Sequence, residues 1–183
     1  MKNLAVARRY AKALLLIGKE DGNAETYREE LAQFAELIER ETALDQALNN
    51  PLYDADARRN VLQAILDKLS LSKVTTQFLI LLFEKRRINF IGHINVFYGK
   101  LVDELRGIGR ASLISATELS SEAVEKIRSA LSQRTGQDIV LEVEQDPALI
   151  GGIVTRIGDL ILDGSVKTQL ENMRESLKRG ESV

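Results

Sequence analysis

An α+β fold that is mostly α is predicted from three observations. Apolar residues recur at helical spacing through roughly the first hundred positions; two glycines, Gly107 and Gly109, interrupt that pattern; short apolar runs broken by Gly and Asp follow. The expected architecture is an N-terminal six-helix bundle over 1–106, a Gly-rich hinge at 107–110, and a small α/β domain over 111–183 with a short sheet and two helices.

Ala5 to Ile17 is rich in helix formers and is expected to stop near Gly18 and Gly22. Asn23 is placed to cap the next helix, where Tyr27, Leu31, Phe34, Ala35 and Ile38 form one stripe and Arg28, Glu29, Glu36 and Glu39 face water. A short helix over Ala43 to Leu48 ends before Pro51, whose ring drives the preceding residue out of helical geometry. Asp54 and Ser72 open the fourth and fifth helices. The fourth carries Val61, Leu62, Ile65, Leu66 and Leu69. The fifth is apolar all round from Phe78 to Phe83, which predicts burial among its neighbours. The sixth has a single stripe of Ile91, Ile94, Phe97, Tyr98, Leu101, Val102 and Leu105, and short connections make the set antiparallel.

Beyond the hinge, Ala111 to Ala116 reads as a strand and Ser120 as the cap of a helix with Val124, Ile127 and Leu131 inward, ended by Gly136. Residues 138–144 alternate, with Ile139, Leu141 and Val143 on one face and Glu142 and Glu144 on the other. Ile153 to Ile157 and Leu160 to Leu162 are further strands, joined by Gly158-Asp159 in a type II′ hairpin. Ser165 caps a last helix whose Val166, Leu170, Met173 and Leu177 share one face.

Composition removes several functions. Net charge is −2 over 183 residues, unlike a chain that lives by neutralising phosphates, so no nucleic-acid partner is expected. Without cysteine there are no disulfides or thiolate metal sites, and the lone His93, off the apolar stripe at the start of the sixth helix, reads as a surface residue. No apolar run approaches the roughly 20 residues of a membrane span, and Arg8, Arg9 and Lys12 interrupt any signal-peptide core. A soluble chain in a reducing compartment, with no cofactor and no metal, is the expectation.

The stretch 146–170 holds the densest Gly and Asp cluster. Gly151-Gly152 lacks the lysine and hydroxyl of a phosphate loop and precedes a strand, so it reads as a bend. Asp146, Asp159 and Asp163 read as turn aspartates, as Gly158 and Gly164 read as turn glycines; Asp159 and Asp163 as the acids of a hydrolytic or metal-dependent enzyme are the alternative, beside a generic helical scaffold. Glu84-Lys85-Arg86-Arg87 reads as a last helical turn against the negative end of the dipole. The first helix is thin, with alanines at 5, 7, 11 and 13, and carries two apolar strips: Val6, Tyr10, Ala13 and Ile17, and Leu4, Ala7, Ala11, Leu14 and Leu15. One strip should pack inward; periodicity leaves open whether the other is covered or receives a partner's amphipathic helix. Residues alone therefore point to a two-domain interaction protein.

Three segments carry a resemblance: Ala7-Arg8-Arg9-Tyr10-Ala11-Lys12-Ala13-Leu14; Phe78-Leu79 through Leu82-Phe83-Glu84-Lys85-Arg86-Arg87-Ile88; and Ser115-Ala116, Leu119-Ser120, Asp146-Pro147, Ile150-Gly151-Gly152, Gly158-Asp159 and Asp163-Gly164-Ser165-Val166 in sequence. In this order the chain resembles the delta subunit of F-type ATP synthases and is similar to the mitochondrial oligomycin-sensitivity-conferring protein; Arg86 stands where that family often has a small residue. The resemblance implies a non-catalytic peripheral-stalk subunit, one copy per complex, that holds the alpha3/beta3 catalytic head against rotor torque. It implies a groove between the first and fifth helices for the N-terminal helix of an alpha subunit, with Tyr10, Ala13, Leu14, Leu81 and Leu82 as groove residues and Tyr27 nearby. It implies that the C-terminal domain meets the C-terminal region of the membrane-anchored b subunit, for which Val166, Leu170, Met173 and Leu177 are the candidate face. A start at methionine without a transit peptide fits a bacterial source and a peripheral place on the cytoplasmic face of the inner membrane, with no direct membrane insertion.

Overall fold

Eight α-helices and four strands form among residues 2–158 and 160–179, the part of the chain that a computed structural model describes. The protein is mostly helical with a small C-terminal sheet. Its two compact units are Met1–Val102 and Asp103–Val183.

The first unit contains α1 (Lys2–Glu20), α2 (Ala24–Arg40), α3 (Thr42–Asn49), α4 (Ala55–Leu69), α5 (Lys73–Glu84) and, after a 3-10 turn at Ile88–Phe90, α6 from Ile91, which ends at Leu105. One hydrophobic cluster joins them, with Leu14, Leu31, Phe34, Leu79, Leu82, Ile94 and Tyr98 fully enclosed. α1 ends at Glu20, between Gly18 and Gly22 as expected. Gly18 lies inside the helix and serves packing: a Cβ there would lie 2.9 Å from the Ala24 Cα and 3.1 Å from the Tyr98 hydroxyl. That hydroxyl donates to the Ala24 carbonyl at 3.0 Å, and burial pushes its pKa far up, so it stays a donor. Asn23 holds the N-cap position without making the cap bond. Asp21 organises this turn instead, accepting from the Asn23 amide at 3.0 Å and from the Tyr27 hydroxyl, which holds the carboxyl below its ordinary range.

The expected caps at Asp54 and Ser72 form. Asp54 accepts from the amides of Asp56 and Ala57, and Ser72 accepts from the Thr75 amide at 3.3 Å. Glu30 of α2 reinforces the second cap by accepting from the Ser72 amide at 2.7 Å and hydroxyl at 2.6 Å, which fixes where α5 begins against α2. α5 ends at Glu84, so Lys85, Arg86 and Arg87 form its cap rather than its last turn. The Arg87 amide reaches back to the Leu82 carbonyl at 2.7 Å and the Arg86 amide to Phe83 at 2.9 Å, the paired bonds of a left-handed helix stop. Arg86 takes the left-handed position at φ 56, which a Cβ penalises. Arg86→Gly is therefore expected to stabilise the chain by about 1 kcal/mol, read as a higher urea midpoint at unchanged slope.

In the second unit β1 (Ile108–Ser115) leads through α7 (Ser121–Thr135) to β2 (Asp138–Gln145), paired parallel to β1. β3 (Ile153–Ile157) joins the other side of β1 antiparallel and β4 (Leu160–Asp163) follows, giving the order β2-β1-β3-β4. α8 (Val166–Arg179) closes the described chain. Ser120 and Gly136 bound α7 as expected, Gly136 at φ 69. β1 starts earlier than the composition suggested. Gly107 turns at φ 68, but Gly109 and Arg110 are already strand, and a Cβ on Gly109 would press within 2.7 Å of Ile139 and Gln137. The buried apolar core is small: Ala111, Leu131 and Ile139 cluster with Ile127, Leu141, Ile157 and Leu162 against them, and Leu113 and Ala116 are buried as well. Val143 is exposed, because α7 covers β2 only near its start and β2 is an edge strand.

Candidate functional site

α1 packs most of one strip inward and leaves the other partly open. Ala7, Ala11, Leu14 and Leu15 are buried, while Val6 and Tyr10 are half-buried and Ala13 and Ile17 exposed. The open strip borders α5: the Tyr10 ring meets Phe78 edge-on, centroids 6.3 Å apart at 69°. One turn further along α5, Leu81 is 42% exposed, so this helix is not enclosed on every side. The open apolar band thus consists of Tyr10, Ala13 and Ile17 on α1 and Leu81 on α5, two helices that meet at Tyr10 and Phe78.

The six residues expected to line a groove divide accordingly. Tyr10, Ala13 and Leu81 reach the surface. Leu14, Tyr27 and Leu82 do not; they are core residues, fully or almost fully enclosed, and support the band from beneath. Sequence missed Ile17 as a surface member, although its place in the Val6-Tyr10-Ala13-Ile17 strip marked it. A separate groove of about 810 Å3 lies between α2 and α6, lined by Leu4, Ala35, Ile38, Ile91 and Phe97 with His93 at its margin, and none of the six lines it. His93 is exposed, as expected.

A second candidate surface is α8. Val166, Leu170, Met173 and Leu177 share one face and are all exposed. The turns that deliver this helix are built from the Gly and Asp cluster. Asp146 accepts from the Ala148 amide at 2.9 Å. Asp163 accepts from the Ser165 amide and the Thr168 hydroxyl, both at 2.8 Å, and these bonds hold its carboxyl below the ordinary range. Gly152 takes φ 83 with the Gly164 carbonyl so close that a Cβ would lie 2.3 Å from it. Gly151 faces Val166, and Gly158 turns at φ 56 between β3 and β4; Asp159, and with it the hairpin type, lies outside the described residues. Asp163 thus spends both oxygens on the first turn of α8. Among the described residues no three of His, Asp and Glu converge on a point, and no helix is long and apolar enough to cross a membrane.

Comparison with known proteins gives a consistent result along the whole length. The family model for the ATP synthase delta (OSCP) subunit matches residues 6–177. The chain is 62% identical to an ATP synthase subunit delta from Desulforapulum autotrophicum over 183 residues, covering all of both chains. It is 41% identical to the same-named protein of Geotalea uraniireducens over 180 residues, 98% of this chain and all of that one. In fold it is similar to a chain in the Toxoplasma gondii mitochondrial ATP synthase hexamer, with a TM-score of 0.70 at 18% identity, covering 93% of this chain and 96% of that chain.

Proposed function

We infer the function from one premise: the chain belongs to the ATP synthase delta (OSCP) subunit family. It is a non-catalytic subunit of ATP synthase and a component of its peripheral stalk. The finer reading is ours. The helices of the first unit act as a six-helix bundle that rides on the alpha3/beta3 head and takes the N-terminal helix of an alpha subunit across α1 and α5. The second unit takes the C-terminal region of the b subunit, and the turn at Gly107 is a hinge between them. One copy serves each complex, on the cytoplasmic face of a bacterial inner membrane.

The observation that carries this reading is the apolar band of Tyr10, Ala13, Ile17 and Leu81, left open beside a well-filled core. A stator must hold under torque, so its contacts have to be long-lived. Nanomolar binding corresponds to about −12 kcal/mol, within reach of a helix in an apolar groove with a few buried anchors. Enzyme chemistry at Asp159 and Asp163 has no support, since both oxygens of Asp163 are engaged by the Ser165 amide and the Thr168 hydroxyl. The test is reconstitution: membranes stripped of this chain should fail to retain the catalytic head, and adding it back should restore retention. Retention without it would overturn the stator reading.

A further inference from the structure

Asp103 is the one buried charged residue among those described, its side chain 7% exposed. It lies in the last turn of α6, where the negative end of the helix dipole disfavours a carboxylate and burial disfavours it further. An acid kept in so poor a place needs a cation. Arg110 of β1 supplies it, donating from Nε to Oδ2 at 2.5 Å and from Nη2 to Oδ1 at 3.4 Å. Both residues belong to the second unit, and they bracket the turn at Gly107.

That turn is held differently on its two sides. The Gly107 carbonyl accepts from the Asp138 amide at 2.9 Å, which ties the far side to β2. On the helix side the Arg106 amide reaches the Asp103 carbonyl at 3.1 Å and the Gly107 amide the Glu104 carbonyl at 3.2 Å. These are long bonds at a helix end, where fraying begins. Gly107 itself sits at φ 68 with no atom within 4 Å of a built Cβ, so glycine serves conformation there, not space. Arg110 also has a second acid within reach. Glu142 of β2 lies 3.9 Å from its Nη1, on the same face of the sheet, and is 69% exposed.

We propose that the Asp103–Arg110 pair is a latch on the Gly107 turn, with Glu142 holding Arg110 when the latch opens. The proposal rests on the hinge reading above and gives that hinge two states. Closed, the last turn of α6 is clamped to β1. Open, Arg110 swings to Glu142, Asp103 reaches water, and the amides of Arg106 and Gly107 lose their bonds. The swing exchanges one carboxylate for another, and Arg110 is already 45% exposed, so no charge is left unpaired in the interior. Such a link is stiff at rest and gives under load. Two acids compete for one guanidinium, so removing one favours opening and removing the other opposes it.

The experiment follows hydrogen exchange in the full chain at the amides of Arg106 and Gly107, with those along β1 reporting an intact sheet. Spin labels on two engineered cysteines, Glu29→Cys on α2 and Ser129→Cys on α7, report the spread of distances between the units in a chain that has no cysteine of its own. Asp103→Asn is expected to speed exchange at 106 and 107 about tenfold and to broaden the distances, and adding Arg110→Gln to it should do no more. High salt should speed the wild type and leave the double variant unchanged. Glu142→Gln, a surface change, should slow exchange and narrow the distances, which a merely structural ion-pair cluster would not do. Exchange that Glu142→Gln leaves unchanged or speeds would overturn the latch, and this variant decides the matter should Asp103→Asn also lose protection along β1. Faster exchange in Asp103→Asn with unchanged distances would overturn the hinge on which the latch rests. The stator reading is tested separately by reconstitution and survives any of these results.

Discussion

Gly152→Ala is expected to unfold the second unit while the first stays folded. The added methyl would lie 2.3 Å from the Gly164 carbonyl oxygen and 3.0 Å from the Ser165 Cα, both backbone atoms. Neither can swing aside as a side-chain tip would, because Gly164 is bonded to the Ile153 carbonyl and Ser165 caps α8. The residue also sits at φ 83, which penalises any Cβ even in open space. Clash and conformation together cost about 3–5 kcal/mol. That is a large fraction of the ~5–15 kcal/mol that holds a typical domain, and the apolar core of this unit is small, with Leu113 and Ala116 buried beside Ala111, Leu131 and Ile139. Gly158→Ala is the control: φ is 56 but no atom lies within 4 Å, so the loss should be about 1 kcal/mol. The readout is clean because all four tyrosines, at positions 10, 27, 53 and 98, lie in the first unit. Hydrogen exchange over 108–163 should lose protection while the near-ultraviolet tyrosine signal persists. Full protection in Gly152→Ala would show that the close approach of 152 to 164 is dispensable.

What sequence could and could not show follows the physics of each signal. Helical periodicity located α2, α4, α6, α7 and α8, since a stripe such as Tyr27-Leu31-Phe34-Ile38 encodes burial directly. Caps at Asp54, Ser72 and Ser120 were legible because the cap bond is local. α1 ends between Gly18 and Gly22 as expected, but the packing role of Gly18 was not legible, because one of the groups it touches, Tyr98, is distant in sequence. The candidate site was half legible. A strip identifies which residues share a face, yet whether that face is core or surface depends on neighbours. Leu14 and Leu82 were thus placed in a groove that they support from below, while Ile17 was overlooked. The strain at Ile150, which sits at φ 65, left no trace in composition, since an isoleucine after a 3-10 turn looks like any other apolar residue.

Ala13→Asp is expected to weaken binding of an alpha-subunit N-terminal helix peptide by well over tenfold without disturbing the fold. In the free chain Ala13 is exposed, so an aspartate there meets water and costs only the helix-propensity difference of about 0.5 kcal/mol. In the complex the same carboxylate would be pressed between two apolar surfaces, with Tyr10 and Ile17 on either side along α1 and Leu81 in the band on α5. An unpaired charge taken out of water costs on the order of 3 kcal/mol even after relaxation, so it decides the outcome. Arg9, one turn earlier on α1, could offer the carboxylate a partner, but an exposed i,i+4 pair contributes only about 0.3–0.5 kcal/mol and cannot offset that loss. Ala5→Asp supplies the comparison, the same change at an exposed position two turns away and about 80° round the same helix, outside the Val6-Tyr10-Ala13-Ile17 strip, where affinity should hold. Calorimetry on both variants separates a local effect from a general one. Equal weakening by the two would mean that added negative charge anywhere on α1 repels the peptide, and unchanged affinity in Ala13→Asp would remove the α1–α5 band as the docking site.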